Sequence, residues 1–196
     1  MYKDSGCSPL QRRAGTTYTQ SMQTRFPLLL ALVMAISIQT GRGADSIFPL
    51  MAWNWAPSDA ATFEQMRDCG LTVAGFVSPK ELDLCHAAGL KAIVSDQRVS
   101  GYDWRKVDAG AARTNVAALV AETGSHPAVY GYYLRDEPGA EAFPGLATVA
   151  SIVKELAPGK WPYINLFPNY ASAAQLGTAT YEEHLEQFVA TCHPTQ

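Results

Sequence analysis

The sequence lacks the surplus of basic residues that nucleic-acid binding requires. It contains 196 residues, with 15 Lys and Arg against 18 Asp and Glu, and a formal net charge of −3 at pH 7. Five of the basic residues and one acidic residue precede position 44, so the rest of the chain carries ten basic and seventeen acidic residues. Because phosphate backbones are bound by clustered Lys and Arg, this acidic body excludes nucleic acid as the main partner and favours a neutral or cationic small ligand.

The motifs of metal and dinucleotide sites are also missing. No Cys-x-x-Cys or His-Glu-x-x-His spacing occurs, and the four histidines are scattered along the chain, so no metal site is predicted. A glycine-rich phosphate loop does not follow the first predicted strand, which ends in Trp53-Asn54-Trp55, so dinucleotide binding is not indicated. We therefore expect a protein without a cofactor.

Cysteine is scarce, with four residues in the whole chain. Cys7 falls in the segment that we expect to be removed, which leaves Cys69, Cys85 and Cys192. A disulfide between Cys69 and Cys85 is compatible with export, because both lie near the ends of predicted neighbouring helices. Small buried apolar side chains are the favoured interpretation of these cysteines.

An uninterrupted apolar run occupies residues 26–38 and reads FPLLLALVMAISI. Arg25 precedes it, and the small residues Gly41 and Gly43 follow it. Its length suits the apolar core of a secretory signal and falls short of the roughly 20 residues that span a bilayer. We predict a misassigned upstream start over 1–21, a true start at Met22, a signal peptide over 22–43 and a mature domain over 44–196. The alternative is an uncleaved signal that anchors the protein to the membrane.

The body of the chain repeats a strand-helix unit. Strands are predicted over 47–53, 71–76, 90–95, 128–134 and 162–167, and helices over about 58–69, 78–88, 104–122, 143–156 and 181–190. Strands joined by crossovers of this length run parallel, because each helix returns the chain to the same end of the sheet. The pattern predicts an α/β fold, either a doubly wound open sheet or a (β/α)8 barrel.

We predict a partial (β/α)8 barrel of about five units, which stops before a sixth strand. A complete barrel takes about 250 residues, whereas the mature domain has about 150. Such a domain leaves an open sheet edge, so we expect it to self-associate or to fold poorly on its own.

Polar side chains follow most of the predicted strands. Asn54 follows the first strand, Asp96 the third, the Asp136-Glu137 pair the fourth and Asn169 the fifth. A barrel carries its chemistry at this carboxyl-terminal rim. The most informative segment is HPAVYGYYLRDEPG over 126–139, in which a strand leads directly into two carboxylates and a proline. Pro138 predicts an extended backbone at Glu137.

This segment resembles the clan A glycoside hydrolases, barrels in which an Asn-Glu-Pro triplet closes the fourth strand. The resemblance implies that Glu137 is the general acid/base and that Asp136 takes the position usually held by Asn. In that clan the nucleophilic carboxylate comes from the seventh strand, which this chain does not contain. The resemblance therefore implies a glycosidase-type hydrolase that lacks its second catalytic carboxylate.

Two alternatives with a carbohydrate partner remain open, and a third is an unrelated parallel α/β domain whose Asp136-Glu137 pair is structural. An adjacent Asp-Glu pair also resembles the hexosaminidase-like families, in which the substrate's acetamido group is the nucleophile and Asp136 would steady it. A non-catalytic carbohydrate-binding remnant would use the same aromatic residues without turnover. These carbohydrate hypotheses share one kind of partner, which is a neutral glycan in our main hypothesis. Aromatic residues at the rim suit such a partner, because sugar rings pack their apolar faces on aromatic planes. The candidate sugar contacts are Trp53, Asn54, Trp55, Asp96 and Asn169, and Asn165 is a further polar side chain at this rim.

Export gives a first testable prediction. The protein recovered from the periplasm or medium of a bacterial host should begin at Ala44 or Asp45, because cleavage is expected after Gly43 or Ala44. Substituting Leu30→Arg should stop this processing, since the charge interrupts the apolar run, whereas Lys3→Glu should leave it intact. N-terminal sequencing of the recovered protein measures the outcome, and a product that retains residues 26–38 would support the anchor instead.

Overall fold

A computed structural model of the chain describes residues 48–53 and 55–194. The predicted signal peptide and Asn54 lie outside these residues. Among the described helices none is long and apolar enough to cross a membrane.

Four parallel strands form the sheet. They are β1 (Val73–Val77), β2 (Lys91–Val94), β3 (Val129–Asp136) and β4 (Trp161–Asn165), and they lie in the order β1-β2-β3-β4. Each pair is parallel, so all four carboxyl ends share one rim. In this sequential order every crossover advances in the same direction, as in a (β/α)8 barrel, whereas a doubly wound sheet reverses direction. The structure therefore confirms the predicted α/β class and partial barrel.

Helices connect and follow the strands. The four longest each have at least nine residues and include the first and the last helix of the described domain. Short 3-10 turns at Pro79–Glu81 and Ala140–Ala142 each lead into the helix that follows them. The α-helices are α1 (Ala60–Asp68), α2 (Leu82–Ala87), α3 (Gln97–Ser100), α4 (Ala109–Thr123), α5 (Phe143–Leu156), α6 (Ala173–Leu176) and α7 (Tyr181–Cys192).

The first predicted strand is reduced to one bridge. Met51 pairs in parallel with Val73, and the Leu50 carbonyl accepts hydrogen bonds from the backbone N–H groups of Thr72 and Val73. The Leu50 N–H donates to the Thr72 hydroxyl at 2.9 Å instead of to a backbone carbonyl. Pro49 has no N–H to donate. The prediction of five strands was therefore too high by one among the described residues, although the segment does lie beside β1.

The predicted helix over 104–122 begins later in the structure. The carboxylate of Asp108 accepts a hydrogen bond from the Ala111 N–H at 2.7 Å and caps α4. Asp103, the expected cap, makes a local turn with Arg105. Because side chains of the same type stand at both positions, the sequence does not distinguish the two starts.

The core lies between the sheet and its helices. Leu134 and Tyr132 of β3 are almost fully buried, together with Leu119 of α4 and Leu146 of α5. The Tyr132 hydroxyl is 3.1 Å from the hydroxyl of Thr123, which itself donates to the Leu119 carbonyl. These bonds satisfy two buried hydroxyl groups and join β3 to α4.

The described cysteines are free thiols. Cys85 and Cys192 are buried and Cys69 is exposed, so the Cys69–Cys85 disulfide does not form in this structure. Burial raises the pKa of the Cys85 thiol to about 12 and that of Cys192 to about 11. Both thiols therefore stay protonated at neutral pH, as expected for buried apolar side chains.

Close packing of α5 gives a second prediction. A Cβ at Gly145 would clash with the Trp104 carbonyl oxygen and lie 2.8 Å from Val107 Cγ2, whereas a Cβ at Gly110 in α4 has room. Gly145→Ala should lower the free energy of unfolding by about 1–3 kcal/mol through overpacking. Gly110→Ala should leave it unchanged or raise it by up to ~1 kcal/mol. Urea unfolding of both variants measures the difference, and equal stability would contradict the close packing.

Candidate active-site cleft

The candidate site lies where β3 and β4 end. Asp136 and Asn165 are register partners in the parallel pair. The Asn165 side-chain amide donates to the Asp136 Oδ1 at 2.8 Å, and the Glu137 N–H donates to the Asn165 carbonyl at 2.8 Å. Both predicted acids are therefore tied to the end of β4. Ligand sites in parallel α/β folds occur at this end of the strands.

Glu137 adopts an uncommon backbone conformation. Its φ is +43°, in the left-handed region, although Pro138 favours an extended residue before it. The prediction of an extended backbone at Glu137 was therefore wrong. The N–H bond to Asn165 holds Glu137 at the end of the ladder, and the chain turns immediately beyond it. Such conformations cost about 1–3 kcal/mol and concentrate at functional sites.

The Glu137 side chain opens onto a cleft of about 390 Å³. Glu137 itself is exposed, and no hydrogen bond joins its carboxylate to any residue in the described part of the chain. The carboxylate is therefore available to a ligand. The residues that line the cleft are Met51, Trp53, Glu137, Tyr163, Asn165, Leu166, Pro168 and Tyr170.

An aromatic cluster lies beside this cleft. The Phe76 ring, at the end of β1, is in contact with Tyr133, Trp53 and Trp55, at ring-centroid distances of 4.5, 5.3 and 5.6 Å. Phe76 is 3% exposed, whereas Trp53 and Trp55 are 48% and 67% exposed. The buried ring thus supports two indoles that retain accessible faces. Such faces suit the apolar side of a sugar ring.

Two tyrosines of this region remain protonated at neutral pH. Burial raises the pKa of Tyr133 and of Tyr163, and the negative charge of Asp136 raises both further. Phenol groups in this state donate hydrogen bonds. Tyr163 lines the cleft, so it presents a donor near Glu137.

Asp96 serves a local structural role in this structure. Its carboxylate caps α3 by accepting from the Arg98 N–H, and it forms an ion pair with Arg98 Nε at 2.8 Å. The bonds to Arg98 lower the pKa of Asp96. Arg98 also pairs with Glu122 at 2.7 Å. Asp96 does not line the cleft that holds Glu137.

The remaining predicted sugar contacts divide into two groups. Trp53 lines the cleft, and Trp55 joins it through Phe76. Asn169 is exposed in the turn from Pro168 to Ala171 and does not line the cleft, although its neighbours do. Asn54 lies outside the described residues.

Sequence reasoning missed two residues of the site, Tyr163 and Phe76. Tyr163 lies two positions before Asn165 in β4, so alternation along a strand places both on one face. That signal was present in the sequence. Phe76 carries a positive φ of 60°, which no residue pattern indicates for an aromatic side chain.

No metal site emerges from the described residues, in which no group of three or more His, Cys, Asp or Glu side chains could hold a metal ion.

No family model matches the sequence. No curated protein matches it either.

Several solved structures are similar to part of the chain. They include a β-galactosidase from Marinomonas ef1 (13% identity, TM-score 0.43, 66% of this chain and 39% of that one). The C-terminal domain of Legionella pneumophila ChiA has 14% identity and a TM-score of 0.42 over 74% of this chain and 53% of that domain. Saccharomyces cerevisiae Gas2p, in complex with laminaritriose and laminaritetraose, has 9% identity and a TM-score of 0.35 over 76% of this chain and 47% of its own.

The chain therefore spans between 39% and 53% of these three structures. At such low identities and TM-scores, the assignment of the fold rests on the strand order of the sheet itself.

The contacts of Asp96 give a third prediction. Because the folded-state pKa of Asp96 is lowered, its ion pair contributes stability above the ordinary carboxyl pKa and loses it as the pH falls through the folded value. Asp96→Asn keeps the cap and removes the charge. We expect it to lower the free energy of unfolding by about 1–2 kcal/mol at pH 7, and the difference should shrink below about pH 4.

Denaturant unfolding at several pH values measures this effect. The matched control is Asp103→Asn, which removes a similar local pair from an exposed turn and should change stability less. If Asp96→Asn left the stability unchanged and abolished sugar binding, the result would contradict this structural role and support Asp96 as a sugar contact.

Proposed function

We propose that the chain is a glycoside hydrolase-like protein in which Glu137 donates a proton to the glycosidic oxygen. The observation that supports this most is the position of Glu137. Its carboxylate lies at the carboxyl end of a parallel strand, free of protein partners among the described residues, and lines a cleft with Trp53 and Tyr163. General acid catalysis requires such a group within hydrogen-bond reach of the leaving oxygen.

Asp136 is the neighbouring group that shapes this environment. Its Oδ1 accepts from Asn165, which fixes the carboxylate beside the cleft. Its Oδ2 makes no hydrogen bond to a described residue, and this oxygen remains free to accept from a ligand. In the substrate-assisted alternative, the same oxygen would receive the N–H of the substrate's acetamido group.

The aromatic groups supply the sugar surface in this proposal. Trp53 and Trp55 present accessible indole faces, and Tyr170, which is 85% exposed, lines the same cleft as Trp53. Protonated Tyr163 offers a donor to a sugar hydroxyl. This combination of apolar faces and a few directed polar groups is typical of carbohydrate sites.

A second candidate function is carbohydrate binding without hydrolysis. Among the described residues that line the cleft, Glu137 is the one carboxylate. Retaining hydrolysis requires a second carboxyl group about 5–5.5 Å away, and inversion requires one at about 6.5–9.5 Å. Binding alone requires neither.

Export belongs to the proposal as well and rests on the sequence of residues 22–43. An exported protein would meet a glycan in the periplasm or outside the cell.

Replacement of Glu137 gives the fourth prediction. On a panel of glycans and aryl glycosides, Glu137→Gln should lower kcat/KM by about 10²–10⁴, because a general acid is lost. The loss should be much smaller for aryl glycosides whose leaving groups need little protonation. Binding of the uncleaved glycan, measured by calorimetry, should persist.

The matched control is Glu186→Gln, which changes an exposed carboxylate of α7 that does not line the cleft. It should retain activity. Glycan binding without any hydrolysis by the unmodified protein would support the binding function, whereas equal activity of Glu137→Gln and the parent would refute the catalytic role.

A further inference from the structure

A second cavity lies on the other side of the loop that carries Glu137. It has a volume of about 240 Å³ and shares no lining residue with the Glu137 cleft. Arg135 and Pro138 line it from the end of β3, and Trp104 and Arg105 line it from the segment before α4. Both cavities therefore adjoin the same carboxyl-terminal rim.

Arg135 is the cation available in this cavity. Of the five arginines in the described part of the chain, the other four form ion pairs with Asp or Glu. No hydrogen bond or ion pair joins the Arg135 guanidinium to a described residue. A guanidinium with an open fork binds a carboxylate through two parallel N–H bonds.

The acidic groups of the cavity are not equivalent. Asp103 is held by Arg105 at 3.3 Å. Glu141 makes no ion pair or hydrogen bond within the described residues, and its carboxylate oxygens lie close over Gly139. Because charges of both signs are unpaired, the cavity does not favour a simple anion. It suits a ligand that has one carboxylate for Arg135 and hydroxyl donors for Glu141.

Trp104 and Pro138 also line this cavity. Trp104 is 5% exposed, and its indole Nε1–H has no acceptor in the described structure. A buried N–H group of this kind calls for a water or ligand atom as its partner. Pro138, which is also buried, adds a further apolar surface.

We propose that this cavity binds the hexuronate unit of an acidic glycan. The carboxylate pairs with Arg135, ring hydroxyls donate to Glu141, and the ring fills the cavity that Trp104 and Pro138 line. The inference rests on the proposed function and names its substrate class. The two sites are linked because Arg135 and Pro138 stand on either side of the Asp136-Glu137 pair in the chain. An acidic glycan replaces the neutral glycan that the net charge of −3 led us to expect. The attraction of a carboxylate to the nearby Arg135 guanidinium is stronger than its repulsion by charges spread over the whole chain.

The test compares two probes that differ only in the carboxylate, methyl β-glucuronide and methyl β-glucoside. Each probe is titrated into the folded protein. The indole N–H resonance of Trp104, which is assigned by comparison with Trp104→Phe, is followed by NMR. We expect the glucuronide to bind at least tenfold more tightly and to shift this resonance. Arg135→Gln should abolish the preference, and Arg113→Gln, which changes an exposed arginine of α4, should preserve it.

Arg135→Lys is a second variant that tests the proposal if Arg135→Gln fails to fold. It keeps the charge and removes the fork, so it should weaken glucuronide binding severalfold. Equal affinities for the two probes, or an undiminished preference in both Arg135 variants, would overturn the proposal.

The two proposals fail separately. Glu137→Gln should bind the glucuronide as the parent does, because it leaves the second cavity intact. A parent protein that binds the glucuronide but hydrolyses no glycan would support the hexuronate site and refute only the catalytic function.

Discussion

The pairing of β4 with the end of β3 is the constraint on which the candidate site depends. Through Asn165, β4 provides a carbonyl that holds the Glu137 N–H and a side-chain amide that holds Asp136, both at 2.8 Å. The parallel ladder thus continues one residue beyond β3. If β4 moved along β3 by one residue, the pleat would turn Asn165 away from both acids. The register of two strands therefore determines the position of both carboxylates.

Two of the three non-glycine residues with positive φ in the described part of the chain lie at the same rim. Phe76 and Glu137 both have positive φ values, and each is held by contacts that are independent of its own backbone preference. The Phe76 ring is enclosed by Trp53, Trp55 and Tyr133, and Glu137 is tied to β4. Conformations that cost about 1–3 kcal/mol persist only when surrounding contacts determine them. The core between the sheet and its helices provides the stability that offsets this strain at the rim.

The sequence predicts most of the sheet, because glycine and proline bound short apolar runs and helices separate them. It does not predict that the first run makes a single bridge, since Thr72 on another segment provides the acceptor that decides this. Position after a strand places Asp136 and Glu137 at the carboxyl-terminal rim, which is where the structure has them. The same rule selects Asp96, whose partner is Arg98 two residues away. Capping side chains and ligand-binding side chains both occur at strand ends, and the local sequence pattern does not distinguish them.

The segment from Arg135 to Pro138, at the end of β3, lies between two cavities. Arg135 and Pro138 line one cavity and Glu137 lines the other, because the left-handed residue turns its side chain away from those of its neighbours. A ligand bound to Arg135 would therefore contact a segment whose other side carries the Glu137 carboxylate, the proposed proton donor. Arg135 pairs with Ile164, and Asp136 with Asn165, in the ladder with β4, so β4 positions both sides of this segment. Selectivity and proton transfer would then depend on the same four residues.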